Sequence, residues 1–208
     1  MDRDLTFALE LADMADDMTL PAFRSRAFEV ETKSDLTPVT EIDRGVERAV
    51  RKRVDRARPG EVVVGEEFGA EDGDVRWIVD PIDGTKNFVR GIPVYGTLLA
   101  LQRDGELVVG VASAPALGRR WWAVRGEGAF VDGTAIRVSS VGRLTDAQLC
   151  FGGLNAWRSA GRLDAFLDLA ARCKRTRGFG DFWMHMLVAE GAADVAVEPD
   201  VSLWDLAA

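Results

Sequence analysis

The feature that most restricts the fold of this chain is a short apolar strand that ends in acidic residues, Trp77-Ile78-Val79-Asp80-Pro81-Ile82-Asp83-Gly84-Thr85. The aromatic and β-branched residues at its start predict a strand buried in a sheet. Pro81 and Gly84 favour a turn, so an ordinary turn is one interpretation of the segment. A turn alone does not explain why two carboxylates, Asp80 and Asp83, follow a buried strand.

A second apolar run, Val62-Val63-Val64, also leads to acidic residues, the first of which is Glu66. We expect the carboxylates of both runs to converge on one rim of a sheet. Converging carboxylates repel one another, and this repulsion destabilises the fold unless a cation offsets it. Mg²⁺ prefers oxygen ligands, so the pattern predicts a metal site in which Asp80 bridges two ions and Asp83 and Glu66 each hold one. From spacing alone, the turn and the metal site both remain open.

Such a site would suit phosphate chemistry. Two metal ions about 4 Å apart activate water and stabilise the leaving oxygen in an in-line displacement. Ile82 can contribute only its backbone carbonyl as a ligand, because its side chain is apolar. Gly84 and Thr85 offer backbone N–H groups where a phosphate could bind.

Composition excludes several other function classes. The formal net charge of -8 argues against nucleic acid as a partner, because a phosphate backbone requires clustered Lys and Arg. No signal peptide or membrane-length apolar run is apparent, which predicts a cytoplasmic protein. Two cysteines, Cys150 and Cys173, are too few for a thiolate zinc site. His185 is the only histidine, which excludes sites that need several imidazoles, and we expect it to pack on a helix.

The periodicity of apolar residues predicts helices that frame a strand-rich middle, typical of a layered α+β or mixed α/β fold. The turn Arg103-Asp104-Gly105 should join two strands as a hairpin. The predicted helices are 5–23, one that begins at Thr40, 163–170, 182–190 and one that opens at Trp204. The predicted strands are 62–64, 77–79, 95–101, 107–112, 120–124, 129–131, 135–138 and 194–197.

Three separated motifs carry a resemblance to a known family. The stretch Asp80-Pro-Ile-Asp-Gly-Thr-Lys-Asn-Phe88 resembles the first signature of the inositol monophosphatase superfamily, and Gly65-Glu66-Glu67 and Trp204-Asp205 match it in order and approximate spacing. The resemblance implies an α-β-α-β-α layered sandwich and a magnesium-dependent, lithium-sensitive phosphomonoesterase with two or three Mg²⁺ ions. The metal ligands that it implies are Glu66, Asp80, Ile82 through its carbonyl, Asp83 and Asp205.

The same resemblance implies the catalytic groups. Thr85, hydrogen-bonded to Asp43, would orient the attacking water, and Glu66 is counted with them as catalytic. Asp43 also occupies the reciprocal capping position of the helix that begins at Thr40, so capping is an alternative role that need not compete. Glu67 and Asp35 are candidates for a loosely held third metal, with solvated surface carboxylates as the alternative.

The substrate is predicted from a small set of residues. Segments 86–91, 113–117 and 177–182 are similar to those of the histidinol-phosphate phosphatases of this superfamily. Gly84 and Thr85 would bind the phosphate, and Asp181 and Glu198 would bind the amino or imidazole end of histidinol. Inositol 1-phosphate and a nucleotide 3'-phosphate are the alternative substrates. Capping of the following helix is the alternative role for Asp181.

We expect a catalytic half over residues 1–140 and an incomplete second half over residues 141–208, because relatives continue beyond Trp204-Asp205. This form is therefore expected to bind metal more weakly than a longer relative. A catalytically impaired metal-binding fragment, or an interaction protein, is the alternative of another class. The resemblance also implies a homodimer. We expect the protein to bind a small phosphorylated substrate, and we expect neither nucleic acid nor a membrane as a partner.

Overall fold

The structure, a computed structural model, describes residues 3–32, 38–69 and 72–208. The helices are α1 (Arg3–Ser25), α2 (Glu41–Ala57), α3 (Thr85–Arg90), α4 (Leu154–Ser159), α5 (Leu163–Arg172), α6 (Asp181–Ala189) and α7 (Leu203–Leu206). The strands are β1 (Val30–Thr32), β2 (Pro38–Thr40), β3 (Val62–Gly65), β4 (Val75–Asp83), β5 (Gly96–Arg103), β6 (Glu106–Ala114), β7 (Arg119–Val124), β8 (Gly128–Val131), β9 (Thr134–Ile136), β10 (Gln148–Phe151), β11 (Arg175–Arg177) and β12 (Val195–Val197). In the part of the chain that is described, no helix combines the length and the apolar character needed to cross a bilayer.

A seven-stranded sheet in the order β3-β4-β5-β6-β7-β8-β9 forms the centre of the molecule. Its first pair, β3 and β4, is parallel, and the remaining pairs are antiparallel. Asp104 and Gly105 both have positive φ, as a tight turn with right-handed strand twist requires, so the predicted β5–β6 hairpin is confirmed.

Both faces of this sheet are covered by helices. Apolar residues of α1 and α2 at helical spacing, among them Leu11 and Val50, pack against Trp77, Val79 and their neighbours on one face. On the opposite face Phe182 of α6 packs against β5 and β6, and Ala207 packs beside Ile78 and Ala100. The alternation along β4 therefore sends Trp77 and Val79 towards α1 and α2, and Ile78 and Asp80 towards α6 and α7.

A smaller parallel sheet, β11-β10-β12, forms a further layer. Met184 of α6 packs against Cys150 of β10, so α6 lies between the two sheets. On the outer face of the small sheet, Leu149 packs with Trp157 of α4 and Phe166 of α5. The layers thus follow the order α-β-α-β-α, and the predicted fold class is confirmed.

Several short elements were not predicted. They are β1, β2, α3, α4, β10 and β11, all of six residues or fewer. Periodicity over so few residues does not distinguish a strand or a helical turn from a loop. The proposed division at residues 140 and 141 falls between β9 and β10, and it stays a prediction.

Candidate functional site

A cleft of about 230 Å³ opens where α6 and α7 meet the carboxyl end of β4. Nine of the ten residues in the predicted site line this cleft, and the tenth, Asp43, lies behind Thr85. The nine are Glu66, Asp80, Ile82, Asp83, Gly84, Thr85, Asp181, Glu198 and Asp205. Residues that are up to 139 positions apart in the sequence, from Glu66 to Asp205, are thus brought together.

Glu66 and Asp80 meet because β3 and β4 are parallel neighbours. The carboxyl ends of parallel strands lie at the same edge of a sheet, and Glu66 directly follows β3. Its backbone N–H donates to the carbonyl of Val79 at 3.3 Å, which ties the two strand ends together. Asp80 is only 3% exposed, and its Oδ1 accepts from the backbone N–H of Ile82 at 3.0 Å.

A β-bulge explains how Asp83 reaches the same cleft as Asp80. Residues three apart on a regular strand point to opposite faces. Between the pairs Asp80–Leu98 and Asp83–Gly96, however, β4 spans three residues where β5 spans two. The extra residue turns the Ile82 side chain into the core beside Phe88 and returns Asp83 to the cleft side. The Pro81 carbonyl is held by the Thr97 hydroxyl at 2.8 Å, which fixes the bulge.

Thr85 connects the cleft to Asp43 on α2. Its Oγ1 lies 3.2 Å from Asp43 Oδ1 and 2.9 Å from the carbonyl oxygen of Ile82. A hydroxyl has one hydrogen, so Thr85 donates to one of these two acceptors at a time. The predicted contact between Thr85 and Asp43 is therefore present.

Asp43 also closes the predicted capping box of α2. Its Oδ2 accepts from the backbone N–H of Thr40 at 2.8 Å and from the Thr40 hydroxyl, and the Thr40 side chain accepts from the amides of Ile42 and Asp43. The two carboxylate oxygens thus make different contacts: Oδ2 accepts from Thr40 at the helix cap, and Oδ1 faces the Thr85 hydroxyl. Asp43 is 1% exposed, and burial raises the pKa of its carboxyl.

The carboxyl groups in the cleft raise one another's pKa values. Burial is the largest cause for Asp80, followed by the negative charges of Asp83, Glu66 and Asp205. Burial likewise raises the pKa of Asp83, with Asp181 next, whereas the backbone N–H of Phe182 lowers it. Such a cluster is an oxygen-rich donor set whose repulsion a divalent cation would relieve, which fits a hard metal such as Mg²⁺. Among residues 3–32, 38–69 and 72–208, no three Asp, Glu, His or Cys side chains are already arranged as a metal site, so the assignment of metal ligands stays a prediction.

Asp205 is positioned by a second capping box. Its Oδ2 accepts from the backbone N–H of Ser202 at 2.7 Å, at the start of α7. Trp204 and Ala207, on either side of it, pack beneath Ile78 on the large sheet. Burial raises the pKa of Asp205, while its interaction with Ser202 lowers it.

Asp181 lies at the start of α6 with a positive φ of 50°. Its Oδ2 accepts from the side-chain amide of Asn87 at 2.7 Å, and that amide also donates to the carbonyl of Val94. Burial raises the pKa of Asp181 to about 6; the charge of Glu198 adds to this rise, and Lys86 opposes it. The N-cap of α6 is Gly180 and makes no side-chain cap, so the alternative capping role for Asp181 is wrong.

His185 lies on a helix, as predicted, but its position differs from the expectation that it serves packing rather than chemistry. It lines the cleft, and its Nε2 lies 3.2 Å from Oε2 of Glu198. Asp181 and His185 are four residues apart on α6, and this spacing places them on one face of the helix. That spacing was the signal that could have identified His185 from the sequence.

Three further positions, Asn87, Glu67 and Asp35, complete the account of the predicted site. Asn87 was not predicted, because an amide on a short helix carries no signal without knowledge of Asp181. Glu67 lies in the turn after β3, outside the lining of the cleft, and Asp35 lies outside the described residues. The expectation of weaker metal binding stays a prediction.

Comparisons with known proteins agree with the fold and the family resemblance. A family model described as the inositol monophosphatase family matches residues 1–208. A protein named histidinol-phosphatase from Streptomyces coelicolor is 51% identical over 99% of this chain and 81% of its own length. Another of that name from Mycobacterium tuberculosis is 53% identical over 99% and 82%. The solved structure of an IMPase from Thermotoga maritima superposes with a TM-score of 0.88 at 33% identity, covering 100% of this chain and 80% of the other.

Proposed function

The chain belongs to the inositol monophosphatase family, and we propose that it is a Mg²⁺-dependent phosphatase that hydrolyses L-histidinol phosphate to L-histidinol and phosphate. Two relatives named histidinol-phosphatase are 51% and 53% identical over almost the whole chain. The observation that carries the proposal in the structure is a single cleft that contains two different acidic groups. One is the cluster around Asp80, and the other is the pair Asp181 and Glu198.

The cluster around Asp80 would hold the metal. We assign Asp80, Asp83, Glu66 and Asp205 as carboxylate ligands and the Ile82 carbonyl as a further oxygen, for two or three Mg²⁺ ions. Support comes from their shared cleft and from the raised pKa values of Asp80, Asp83 and Asp205, which follow from burial and from neighbouring carboxylates. When bound, magnesium supplies Lewis acidity, which neutralises phosphate charge and makes a water more acidic.

Thr85 and Asp43 would orient the attacking water. The Thr85 hydroxyl can accept a hydrogen bond from water while it donates its own hydrogen to Asp43 Oδ1 at 3.2 Å. Asp43 is buried, so its side of this contact lies away from bulk solvent, whereas Thr85 lines the cleft. Glu66, at the same rim, would help to withdraw the proton from the water, and Gly84 and Thr85 would bind the phosphate through the first turn of α3.

We propose direct attack by water without a phosphoenzyme. In the described part of the chain, the lining of the cleft includes no cysteine, and its one histidine is paired with Glu198. Neither free cysteine lines the cleft; Cys150 is buried beneath α6. A side-chain nucleophile of the cysteine or paired-histidine kind therefore does not face the phosphate.

Asp181, Glu198 and His185 would select the alcohol. Two carboxylates suit a cationic ammonium or imidazolium group, because charge-assisted hydrogen bonds to a cation are stronger than those to neutral hydroxyls. Inositol 1-phosphate is the second candidate substrate, and the superposition with the Thermotoga IMPase favours it. A homodimer in the cytoplasm completes the proposal, on the strength of family membership alone.

The experiment is phosphate release with Mg²⁺ from histidinol phosphate, inositol 1-phosphate and adenosine 3',5'-bisphosphate in parallel. We expect histidinol phosphate to be preferred. The substitution Asp181→Asn should raise the KM for histidinol phosphate by about tenfold or more, because a hydrogen bond to a charged group contributes about 1.5–3 kcal/mol. Asp164→Asn, an exposed carboxylate in the first turn of α5, is the matched control and should change nothing.

Each outcome decides one part of the proposal. Preference for another substrate would keep the metal site and reject the role of Asp181. Preference for histidinol phosphate with an unchanged KM in Asp181→Asn would reject only the ammonium contact. If no substrate is hydrolysed at any Mg²⁺ concentration, this form of the chain is not an active phosphatase.

A further inference from the structure

The turn that carries Glu66 is closed by its own backbone. Gly65 and Gly69 exchange two hydrogen bonds, from the N–H of each to the carbonyl of the other, at 3.0 and 3.2 Å. The residues between them include Glu66 and Glu67, whose backbone conformation sets where the Glu66 carboxylate points. What holds this turn against the rest of the molecule is therefore relevant to the cleft.

A buried carboxylate on α2, Glu47, holds the turn from beneath. Its side chain is fully buried, Oε2 accepts from the backbone N–H of Glu67 at 2.7 Å, and Oε1 accepts from that of Phe68 at 3.2 Å. The contact is so close that a Cβ on Gly65 would lie 2.2 Å from Glu47 Oε1. Gly65 is thus required for the approach of Glu47 and not for an unusual backbone angle.

Arg51, one turn further along α2, completes the arrangement. Its Nε and Nη2 donate to Glu47 Oε1 at 2.9 and 2.8 Å. Its Nη1 also donates to the carbonyl of Val63 at 3.0 Å, and its Nη2 to that of Gly69 at 2.7 Å. One guanidinium therefore bridges β3, the end of the turn and the carboxylate that holds the middle of the turn.

The same helix supports the other half of the cleft. Asp43, Glu47 and Arg51 are spaced by four residues and lie on one face of α2. Asp43 contacts Thr85, while Glu47 and Arg51 hold the turn of Glu66. We propose that Glu47, held by Arg51, is a positioning residue that fixes the turn 65–69, so that Glu66 reaches the metal site in register with Thr85.

This inference rests on the proposed role of Glu66 as a metal ligand. A plain structural role for Glu47 would lower stability and leave metal affinity in the folded protein unchanged. A positioning role makes a different prediction, because groups that orient metal ligands typically change metal affinity or activity by about 10- to 100-fold when they are lost. The two roles can therefore be separated by measurement.

The test variant is Glu47→Gln, which has nearly the same shape. One of its two oxygens becomes an NH₂ group, which cannot accept from the Glu67 amide or from Arg51. The matched control is Glu10→Gln, which removes the charge that pairs with another arginine on α2, Arg53, whose Nη2 lies 2.7 Å from Glu10 Oε2, at an exposed site away from the turn. In metal-free protein, hydrogen exchange at the amides of Glu67 and Phe68 reports on the turn itself. Calorimetric titration with Mg²⁺ then gives the affinity without any substrate.

We expect Glu47→Gln to speed exchange at these amides and to raise the Mg²⁺ dissociation constant by about tenfold or more. Activity should recover at high Mg²⁺ with the KM for substrate unchanged. If Glu47→Gln does not fold, Arg51→Lys serves instead, because one ammonium cannot replace the guanidinium at three acceptors, and the same changes are expected. Glu10→Gln should match the wild type in every measurement.

Three results would overturn the inference. Unchanged Mg²⁺ affinity in Glu47→Gln would refute it alone. The same loss of affinity in Glu10→Gln would mean that any weakening of α2 has this effect. A wild-type protein that binds no Mg²⁺ would refute the metal role of Glu66, and with it this inference, and the exchange data would still show whether Glu47 holds the turn.

Discussion

The two contacts of Asp43, with Thr40 and with Thr85, can be separated by a pair of substitutions. In Asp43→Asn the side-chain oxygen should stay towards Thr40, because two donors, the Thr40 N–H and hydroxyl, fix it there. The new NH₂ group then faces Thr85 and cannot accept its hydroxyl hydrogen. The Thr85 hydrogen is left to the Ile82 carbonyl at 2.9 Å, and the path for polarising the water is lost.

The magnitudes differ enough to be measured. Loss of positioned acid–base assistance should lower kcat by about 10²-fold or more. Thr40→Ala, in contrast, removes the acceptor for the amides of Ile42 and Asp43 and leaves the contact between Asp43 and Thr85 in place. Loss of an N-cap costs about 1 kcal/mol, and in a chain of this size that lowers Tm by about 2–4 °C.

The assay is therefore phosphate release at saturating Mg²⁺ together with thermal unfolding, for both variants. We expect Asp43→Asn to have a lower kcat with little change in Tm. We expect Thr40→Ala to have a lower Tm with little change in kcat. If both variants lose kcat in proportion to their loss of Tm, Asp43 acts only through the stability of α2, and the reasoning from its two oxygens is wrong.

Two further predictions concern charge and packing. In metal-free protein, the pKa of Asp181 is about 6, above the value of about 3.9 for an Asp in an unfolded chain. Between these two values the folded protein binds more protons than the unfolded chain. The free energy of unfolding should therefore decrease, through this group, as the pH rises from about 4 to 6. Mg²⁺ should lower this pKa in a carboxyl NMR titration, and an unchanged value would place the ion away from Asp181. Phe7→Ala removes a buried ring 5.3 Å from that of Trp77 and should cost about 3–5 kcal/mol, or about 10 °C in Tm, with kcat unchanged well below the transition. A loss under about 1 kcal/mol would mean that the core around Trp77 repacks.

Much of the fold was predictable because its long elements repeat a clear period. The apolar stripe Val46, Val50 and Val54 identified α2, and all three side chains are buried against the sheet. The resemblance to the inositol monophosphatase superfamily, carried by three short motifs, is confirmed by the match of residues 1–208. It also supplied the layer order, which periodicity alone left open.

The residues that line the cleft were largely predictable from the sequence, but their geometry was not. Asp80 and Asp83 were identified as neighbours, although a regular strand would separate them onto two faces. Only the structure shows the bulge that unites them. Asn87 was missed because its significance depends on Asp181, which is 94 residues away. For His185 the spacing from Asp181 was a signal, but its contact with Glu198, 13 residues away, appears only in the structure.

Glu47 shows most clearly why sequence reasoning stops where it does. A Glu followed four residues later by an Arg on a helix ordinarily indicates an exposed ion pair that contributes a few tenths of a kcal/mol. Here that carboxylate is fully buried, and its acceptor capacity is divided between Arg51 and two amides of the Glu66 turn. A buried charge is tolerated only when such partners satisfy it, so replacing Arg51 by a neutral residue should destabilise the fold far more than loss of an exposed pair would. An exposed pair and this buried pair have the same residue pattern on the helix. They differ in burial because Gly65 approaches Glu47 closely, and no local pattern encodes that approach.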